Sequence, residues 1–165
     1  MWPKTAQVQR VGVFVNETVV RVAKIAQQTG LDAIQLHGAE TPAYCRDLRQ
    51  YLPRRGLIKS LAVDGNSVSE TLTDYAEYCD YFLCDTPTMQ HGGSGRVFDW
   101  ELLHKIVWPR PFFLGGGLGP HNIAAALAAC AGLPLYAVDV NSRVESAPGV
   151  KSTKLVQEFI GQVRI

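Results

Sequence analysis

Short apolar runs alternate with amphipathic segments along this chain. Residues 11–15 form a continuous apolar run, which is typical of a strand buried on both faces. The apolar residues that follow recur at the spacing of one helix face: Val19, Val22, Ala23 and Ala26. Gly30 then provides a stop signal. This first unit predicts a strand, a turn in which Asn16 and Thr18 can cap, and a helix.

The same unit recurs along the rest of the chain. Further strands are predicted at 33–36, 57–61, 81–84, 112–114 and 135–140. Helices are predicted from Thr41-Pro42, through Val68, after a cap at Asp99, over 122–131 and over 152–163. The second helix is expected to bury Tyr44, Leu48, Tyr51 and Leu52. No linker divides the chain, so residues 1–165 are predicted to form a single domain.

Alternating strands and helices with buried strands predict an α/β fold with a parallel sheet. Such a sheet can be open and doubly wound, or it can be most of a (β/α)₈ barrel. A polar residue or a glycine stands at or near the end of each strand: Asn16, His37, Lys59, Asp85, Gly115 and Asp139. Active sites of barrels gather at those ends, so the pattern favours an incomplete TIM barrel of about six βα units.

Composition narrows the classes of function. The net charge is +1, with 47% hydrophobic and 19% charged residues, and no basic stripe with aromatic residues marks a nucleic-acid binder. Neither a secretory signal nor a membrane span is evident, so a cytoplasmic protein is expected. The four cysteines lack zinc-ligand spacing, and we interpret them as reduced structural thiols.

Two aspartates are candidates for chemistry. Asp85 ends an apolar strand, where a carboxyl group can have a raised pKa and act as a general acid; a turn or helix cap is the alternative. Asp139 interrupts an apolar strand, and an unpaired charge there is costly. It is therefore expected either to face the site or to form a buried salt bridge.

Two basic residues also stand at strand ends. For His37, a hydrogen-bonded residue at the rim is favoured over a catalyst. Lys59 follows a buried pair of residues, and a Schiff-base lysine is conceivable there. A structural ion pair with a carboxylate of a neighbouring strand is the favoured interpretation, because buried lysines usually have a partner.

Two loops near the end of the chain resemble an anion cradle. The first is the glycine run 115–117 and the second is 141–143, each after a predicted strand. The glycine run has neither the dinucleotide fingerprint nor the P-loop spacing. Successive loops of this kind can hold a phosphate on backbone N–H groups and helix N-termini; a flexible glycine turn is the alternative.

The motifs together closely resemble the phosphoribosylanthranilate isomerase family of tryptophan biosynthesis. They are, in order, 11–16 (VGVFVN), 35–40 (QLHGAE), 58–60 (IKS), 85–86 (DT), 92–95 (GGSG) with 98–100 (FDW), 116–118 (GGL) and 138–145 (VDVNSRVE). The resemblance runs from about Val11 to the end of the chain. It implies a (β/α)₈ barrel, a phosphorylated small-molecule substrate, and no metal or organic cofactor.

The resemblance also implies residue roles in an Amadori rearrangement of N-(5'-phosphoribosyl)anthranilate. Asp85 matches the family's general acid, and Asp139 matches an aspartate near the substrate. The phosphate loops are matched by Gly116, Gly117, Asn141 and Ser142. His37, in the QLHG motif, and Arg143 are added as candidate substrate-binding residues.

The chain departs from the family pattern in two ways. The family's first strand carries Lys-x-Cys-Gly, whose cysteine is the general base, and a second βα unit supplies an arginine; neither motif occurs here, so the chain is expected to begin at strand three. Arg143 stands where the family has glycine, and Gly119 where it has asparagine. Arg143 can block the phosphate or pair with it.

Two hypotheses follow from these departures. The chain is an isomerase, either a truncated form of a working enzyme or one completed by another polypeptide, or it is a catalytically dead remnant that keeps a phosphosugar half-site. An open sheet of six strands leaves two strand edges uncovered. Self-association or complementation through those edges is therefore expected.

Overall fold

A single parallel sheet of six strands forms the centre of the described structure. The computed structural model describes residues 8–62, 68–85 and 100–163. Six strands form one sheet in the order β1 to β6, and all of its pairings are parallel. The strands are β1 (Val11–Phe14), β2 (Ala33–Leu36), β3 (Gly56–Ala62), β4 (Tyr81–Asp85), β5 (Phe112–Gly115) and β6 (Leu135–Val138).

Helices connect the strands, as the apolar periodicity predicted. They are α1 (Val19–Thr29), α2 (Pro42–Tyr51), α3 (Val68–Ala76), α4 (Ile123–Ala129) and α5 (Thr153–Val163). Gly30 ends α1 in the left-handed conformation with φ 64°, and the Thr41 side chain caps α2 by accepting from the Tyr44 N–H. Gly30 therefore ends α1, and Thr41 begins α2, at the positions predicted from the sequence.

In-register pairing carries one row of side chains across the outer face of the sheet. Phe14, Leu36, Lys59, Phe82 and Phe112 are successive partners in this row. Leu36, Phe82 and Phe112 are fully buried, and they belong to the core that the helices cover. The main hydrophobic core therefore lies between the outer face and the helices.

The inner face carries a second, smaller cluster. Ala33, Ile58 and Leu83 are buried there, with Tyr81 and Phe113 packed against them. A register shift after Phe112 gives β6 one extra residue, Tyr136, whose ring lies 4.5 Å from that of Tyr81. The inner face is thus apolar, yet Tyr136 remains 56% exposed.

The prediction that the first strand is buried on both faces is wrong. Val11 and Val13, on the inner face of β1, are 43% and 58% exposed. The cause is position, because β1 is one edge of the sheet and β6 is the other. Among the described residues, no further strand pairs with either edge.

Other boundaries also differ from the predictions. Tyr51 is exposed, because the buried stripe of α2 uses Cys45 and Leu48 and continues at Leu52. Strand β6 ends at Val138, two residues earlier than predicted, so Asp139 follows the strand. Asp99 lies outside the described residues.

Three short elements are also present. A 3₁₀ helix, Trp100–Lys105, stands where an α-helix was predicted, and a second 3₁₀ turn covers Ser142–Val144. The antiparallel hairpin of β7 (Glu145–Ala147) and β8 (Val150–Lys151) was not predicted. None of the described helices has the length and apolarity needed to cross a membrane.

Candidate active site

A cleft of about 570 Å³ opens at the carboxyl ends of the strands. Parallel strands bring their carboxyl ends to the same edge of a sheet, so residues distant in sequence meet there. The cleft is lined by Val13, Gln35, His37, Asp85, Gly116, Gly117, Leu118, Asp139, Val140, Asn141, Ser142 and Arg143. All eight site residues that the sequence singled out are among them.

His37 and Asp85 face each other across two strands. His37 Nε2 lies 3.5 Å from Asp85 Oδ2, an ion pair when the imidazole is protonated. Gln35 Nε2 lies 3.1 Å from His37 Nδ1, and the His37 N–H donates to the Phe14 carbonyl at 2.8 Å. The imidazole is therefore held from both sides at the rim of the cleft, and Asp85 has a proton donor beside it.

Asp139 enters the cleft immediately beyond β6. Its backbone N–H donates to the Leu114 carbonyl at 2.8 Å, which extends the β5–β6 pairing by one residue. Burial raises the pKa of the Asp139 carboxyl, and the charge of Asp85 raises this pKa further, while His37 and Lys151 oppose the shift. Although the Asp139 side chain is open to the cleft, its carboxyl therefore retains its proton to higher pH than an isolated aspartate does.

The glycine loop after β5 depends on glycine at two positions. Gly116 and Gly117 have φ values of 82° and 69°, in the left-handed region that side chains disfavour. Asn122 fixes this loop from below, since its Oδ1 accepts from the Gly119 N–H and its Nδ2 donates to the Gly117 carbonyl. The loop is a defined turn with its backbone at the cleft surface.

The loop after β6 is held by the hairpin that follows it. Lys151 Nζ donates to the Asn141 carbonyl at 2.8 Å and also to Asn141 Oδ1 and Glu145 Oε1. Asn141, Ser142 and Arg143 are all exposed at the cleft. Lys151 therefore sets the position of the second loop and adds a positive charge next to it.

Gly119 and Arg143 meet where the two loops approach each other. A Cβ on Gly119 would lie 2.8 Å from the Cβ of Arg143, closer than side chains tolerate. Glycine at 119 is thus what makes room for a side chain at 143. Positions 119 and 143, which the sequence analysis noted separately, are therefore in contact in the folded chain.

Comparison with known proteins agrees with this geometry. The family model for N-(5'-phosphoribosyl)anthranilate (PRA) isomerase matches residues 1–162. The chain belongs to the PRA isomerase family. An N-(5'-phosphoribosyl)anthranilate isomerase of Phocaeicola vulgatus is 39% identical over 162 residues, which are 96% of this chain and 76% of that protein. One of Nostoc punctiforme is 38% identical over 93% of this chain and 72% of that protein.

Solved structures give the same result. The PRA isomerase of Thermotoga maritima is 35% identical, with a TM-score of 0.73 over 95% of this chain and 73% of that one. Another PRA isomerase structure, in complex with reduced 1-(o-carboxyphenylamino)-1-deoxyribulose 5-phosphate, is 32% identical with a TM-score of 0.69. A 3-hexulose-6-phosphate synthase at 17% identity and TM-score 0.63 shares the fold. The predicted family and the TIM-barrel fold class are confirmed.

Lys59 and the cysteines do not belong to this isomerase-family cleft. Lys59 lies on the outer face and its Nζ pairs with Glu40 Oε2 at 3.1 Å, so it forms the structural ion pair, although with a loop residue rather than a strand residue. All four cysteines are free and buried. Burial raises the pKa of Cys84 to about 12, and this thiol points away from Asp85 into the core.

Two residues of functional interest were not predicted from the sequence: Gln35, which lines the cleft, and Lys151, which holds the loop after β6. Gln35 alternates with buried neighbours in β2, and that alternation was a usable signal. Lys151 gave no local signal, because its role depends on an unpredicted hairpin. Its contact with Asn141 is visible only in three dimensions.

Asp139→Asn is predicted to stabilise the protein at neutral pH. A folded-state pKa above the unfolded value means that the contribution to stability is complete below the ordinary value near 3.8 and is lost as pH rises through the raised pKa. The neutral amide removes that loss. Thermal melts from pH 3 to 8 should show a variant advantage that grows with pH; an equal advantage at all pH values would contradict the raised pKa of Asp139.

Proposed function

We propose that this chain uses the cleft to rearrange N-(5'-phosphoribosyl)anthranilate into 1-(2-carboxyphenylamino)-1-deoxyribulose 5-phosphate. The observation that carries the proposal is the placement of two aspartates opposite two loops in one cleft. The loops Gly116–Gly117 and Asn141–Arg143 suit a phosphate, and the aspartates suit proton transfer at the sugar. The relatives, named as PRA isomerases, support this substrate class.

Asp85 is assigned the proton-donor role. Its proton passes to the furanose ring oxygen as the bond from that oxygen to C1' breaks, and the anilino nitrogen supplies the electron pair that forms the C=N bond. His37, 3.5 Å away, can stabilise the carboxylate left behind. Loss of the C2' proton then gives the enolamine, which tautomerises to the ketone.

Asp139 is assigned the role of binding the sugar of the substrate during the same step. Because its pKa is raised, its carboxyl keeps a proton to higher pH than an ordinary aspartate, and the protonated form can donate a hydrogen bond to a sugar oxygen. With Asp85 ionised after transfer, two adjacent carboxylates would repel each other unless one remained protonated. The pair is therefore suited to take up one negative charge, on Asp85, as the proton is transferred.

The proposed reaction also needs a base that takes the C2' proton. Among the described residues, no cysteine lines the cleft to serve as that base. The chain has four cysteines and all four are buried. The alternative function is therefore a phosphosugar-binding protein without turnover. It shares the phosphate loops with the isomerase, so phosphate binding cannot separate the two hypotheses, whereas turnover can.

Asp85→Asn is predicted to lower turnover by about 10²- to 10⁴-fold, the range for loss of a general acid. Loss of substrate fluorescence measures this, with Asp74→Asn on the exposed surface of α3 as control. The assay is run with the chain alone and with a polypeptide that supplies the family's first two βα units. No turnover by the wild-type chain in either form would reject the isomerase and favour the binding protein.

Arg143→Gly is predicted to weaken binding of inorganic phosphate by about 10- to 100-fold, the value of a charge-assisted hydrogen bond. The guanidinium lines the cleft, and among the described residues no carboxylate pairs with it. Arg54→Gly, in an exposed turn, is the matched control. Calorimetry would contradict this assignment if Arg143→Gly bound phosphate more tightly, since that result means obstruction.

We also propose that the inner face is covered by a polypeptide that supplies two further βα units. The chain spans about three quarters of the length of its PRA isomerase relatives, and both edges of its sheet are uncovered among the described residues. The inner face exposes Val11, Val13 and Tyr136. Parallel strands that bridge β6 and β1 would bury these residues and pair both edges.

Without that polypeptide, the chain is predicted to self-associate through the same face. Sedimentation velocity should show oligomers that Val11→Lys shifts toward the monomer by placing a charge on the inner face. Val20→Lys, on the exposed surface of α1, should leave the oligomers unchanged. A wild-type monomer with a sharp cooperative melt would contradict the proposal.

A further inference from the structure

A buried ion pair lies beneath the cleft and takes no part in the proposed reaction. Lys59 Nζ and Glu40 Oε2 are 3.1 Å apart, and the two side chains are 2% and 1% exposed. Burying two charges removes them from water, so such pairs usually contribute little net stability. A pair of this kind therefore calls for another explanation than stability alone.

Both oxygens of the Glu40 carboxylate accept hydrogen bonds. Oε1 accepts from the Asn16 backbone N–H at 2.8 Å, and Oε2 accepts from the Gly38 N–H at 2.9 Å and from Lys59. Burial alone would raise the pKa of Glu40, but these hydrogen bonds lower it below its ordinary value. Glu40 is thus a carboxylate that joins the loop after β1 to the loop after β2.

Lys59 completes the junction from β3. Its Nζ also donates to the Gly38 carbonyl at 2.7 Å and lies 3.4 Å from the Leu36 carbonyl. Both backbone groups of Gly38 are therefore bound, the N–H by Glu40 and the carbonyl by Lys59. The loop after β2 is held by two opposite charges at one residue.

The two loops also interlock without these charges. Asn16, with a left-handed φ of 52°, accepts from the Ala39 N–H through Oδ1 at 2.7 Å. A Cβ on Gly38 would lie 2.4 Å from that Oδ1 and 2.8 Å from Glu40 Oε1. A side chain at 38 would therefore displace Asn16 or Glu40 and disturb the contact between the two loops.

The junction ends where the cleft begins. His37 immediately precedes Gly38, and its N–H is bound to the Phe14 carbonyl of β1. Its imidazole is the group 3.5 Å from Asp85. A shift of the loop by one ångström would change that distance directly, and displacements of this size can reduce catalysis about 100-fold.

We propose that Glu40 and Lys59 are positioning residues, which fix the loops after β1 and β2 so that His37 faces Asp85. The inference rests on the proposed function, since it assigns the pair a purpose in that reaction. A positioning role and a purely structural role predict different results for a variant that regains stability but lacks both charges. If the pair positions His37, that variant should not regain turnover.

Three variants separate the two roles. Glu40→Gln leaves the Lys59 ammonium buried without a carboxylate and should lower the melting temperature by about 10 °C. Glu40→Gln with Lys59→Met removes both charges and should recover most of that loss. As a control, Asp47→Asn breaks an exposed pair with Arg46 on α2 and should change neither stability nor activity.

Turnover is measured below all the melting transitions. Both the single and the double variant should have kcat lowered about 10- to 100-fold, while the dissociation constant of inorganic phosphate stays within about 3-fold of wild type. The phosphate loops are on β5 and β6, away from the junction, so binding there should persist. A double variant with wild-type kcat would overturn the proposal and leave the pair as a stability feature.

A second measurement does not depend on turnover. The ring ¹⁵N resonances of His37, assigned with His37→Asn, report the surroundings of the imidazole. They should move in the single and double variants and stay in place in Asp47→Asn. Unchanged His37 resonances in the double variant would also overturn the proposal. A wild-type chain that is inactive both alone and with the added βα units would instead reject the proposed function, while these resonances still decide the positioning role.

Discussion

Parallel, in-register pairing is the constraint on which this structure depends. It places corresponding residues of successive strands in rows, so one row faces the helices and the next faces the inner side. It also gathers all carboxyl ends of the strands at one edge. Asp85 and Asp139 meet His37 there because each follows this rule, although up to 102 residues separate them.

Positions of the loops at that edge are set by different means. The loop after β2 is tied by buried charges at Glu40 and Lys59, whereas the loop after β5 is tied by an amide, Asn122. The loop after β6 is tied by the ammonium of Lys151. The loop that carries His37 is thus held by buried charges, whereas the loop after β6 is held by a lysine that is partly exposed to solvent.

Much of the fold could be predicted from sequence, because apolar periodicity and stop signals act locally. Gly30 and Thr41 ended and began helices where predicted, and β2 has the predicted bounds. Burial of β1 could not be predicted from its apolar run, since exposure depends on which strands are neighbours. The cleft residues were found from their strand-end positions, but the contacts of Glu40, Lys151 and Gly119 required the folded chain.

The central claim is that the loops after β5 and β6 form one phosphate site at the carboxyl edge of the sheet, and its most direct test is where a phosphate binds. Backbone amide resonances of the chain can be followed by NMR while inorganic phosphate is added. Binding between the two loops predicts saturable shifts at Gly116, Gly117 and Ser142, with the amides of the exposed turn at Arg54 unchanged. Absence of saturable shifts at both loops, or shifts confined to other parts of the surface, would contradict the account.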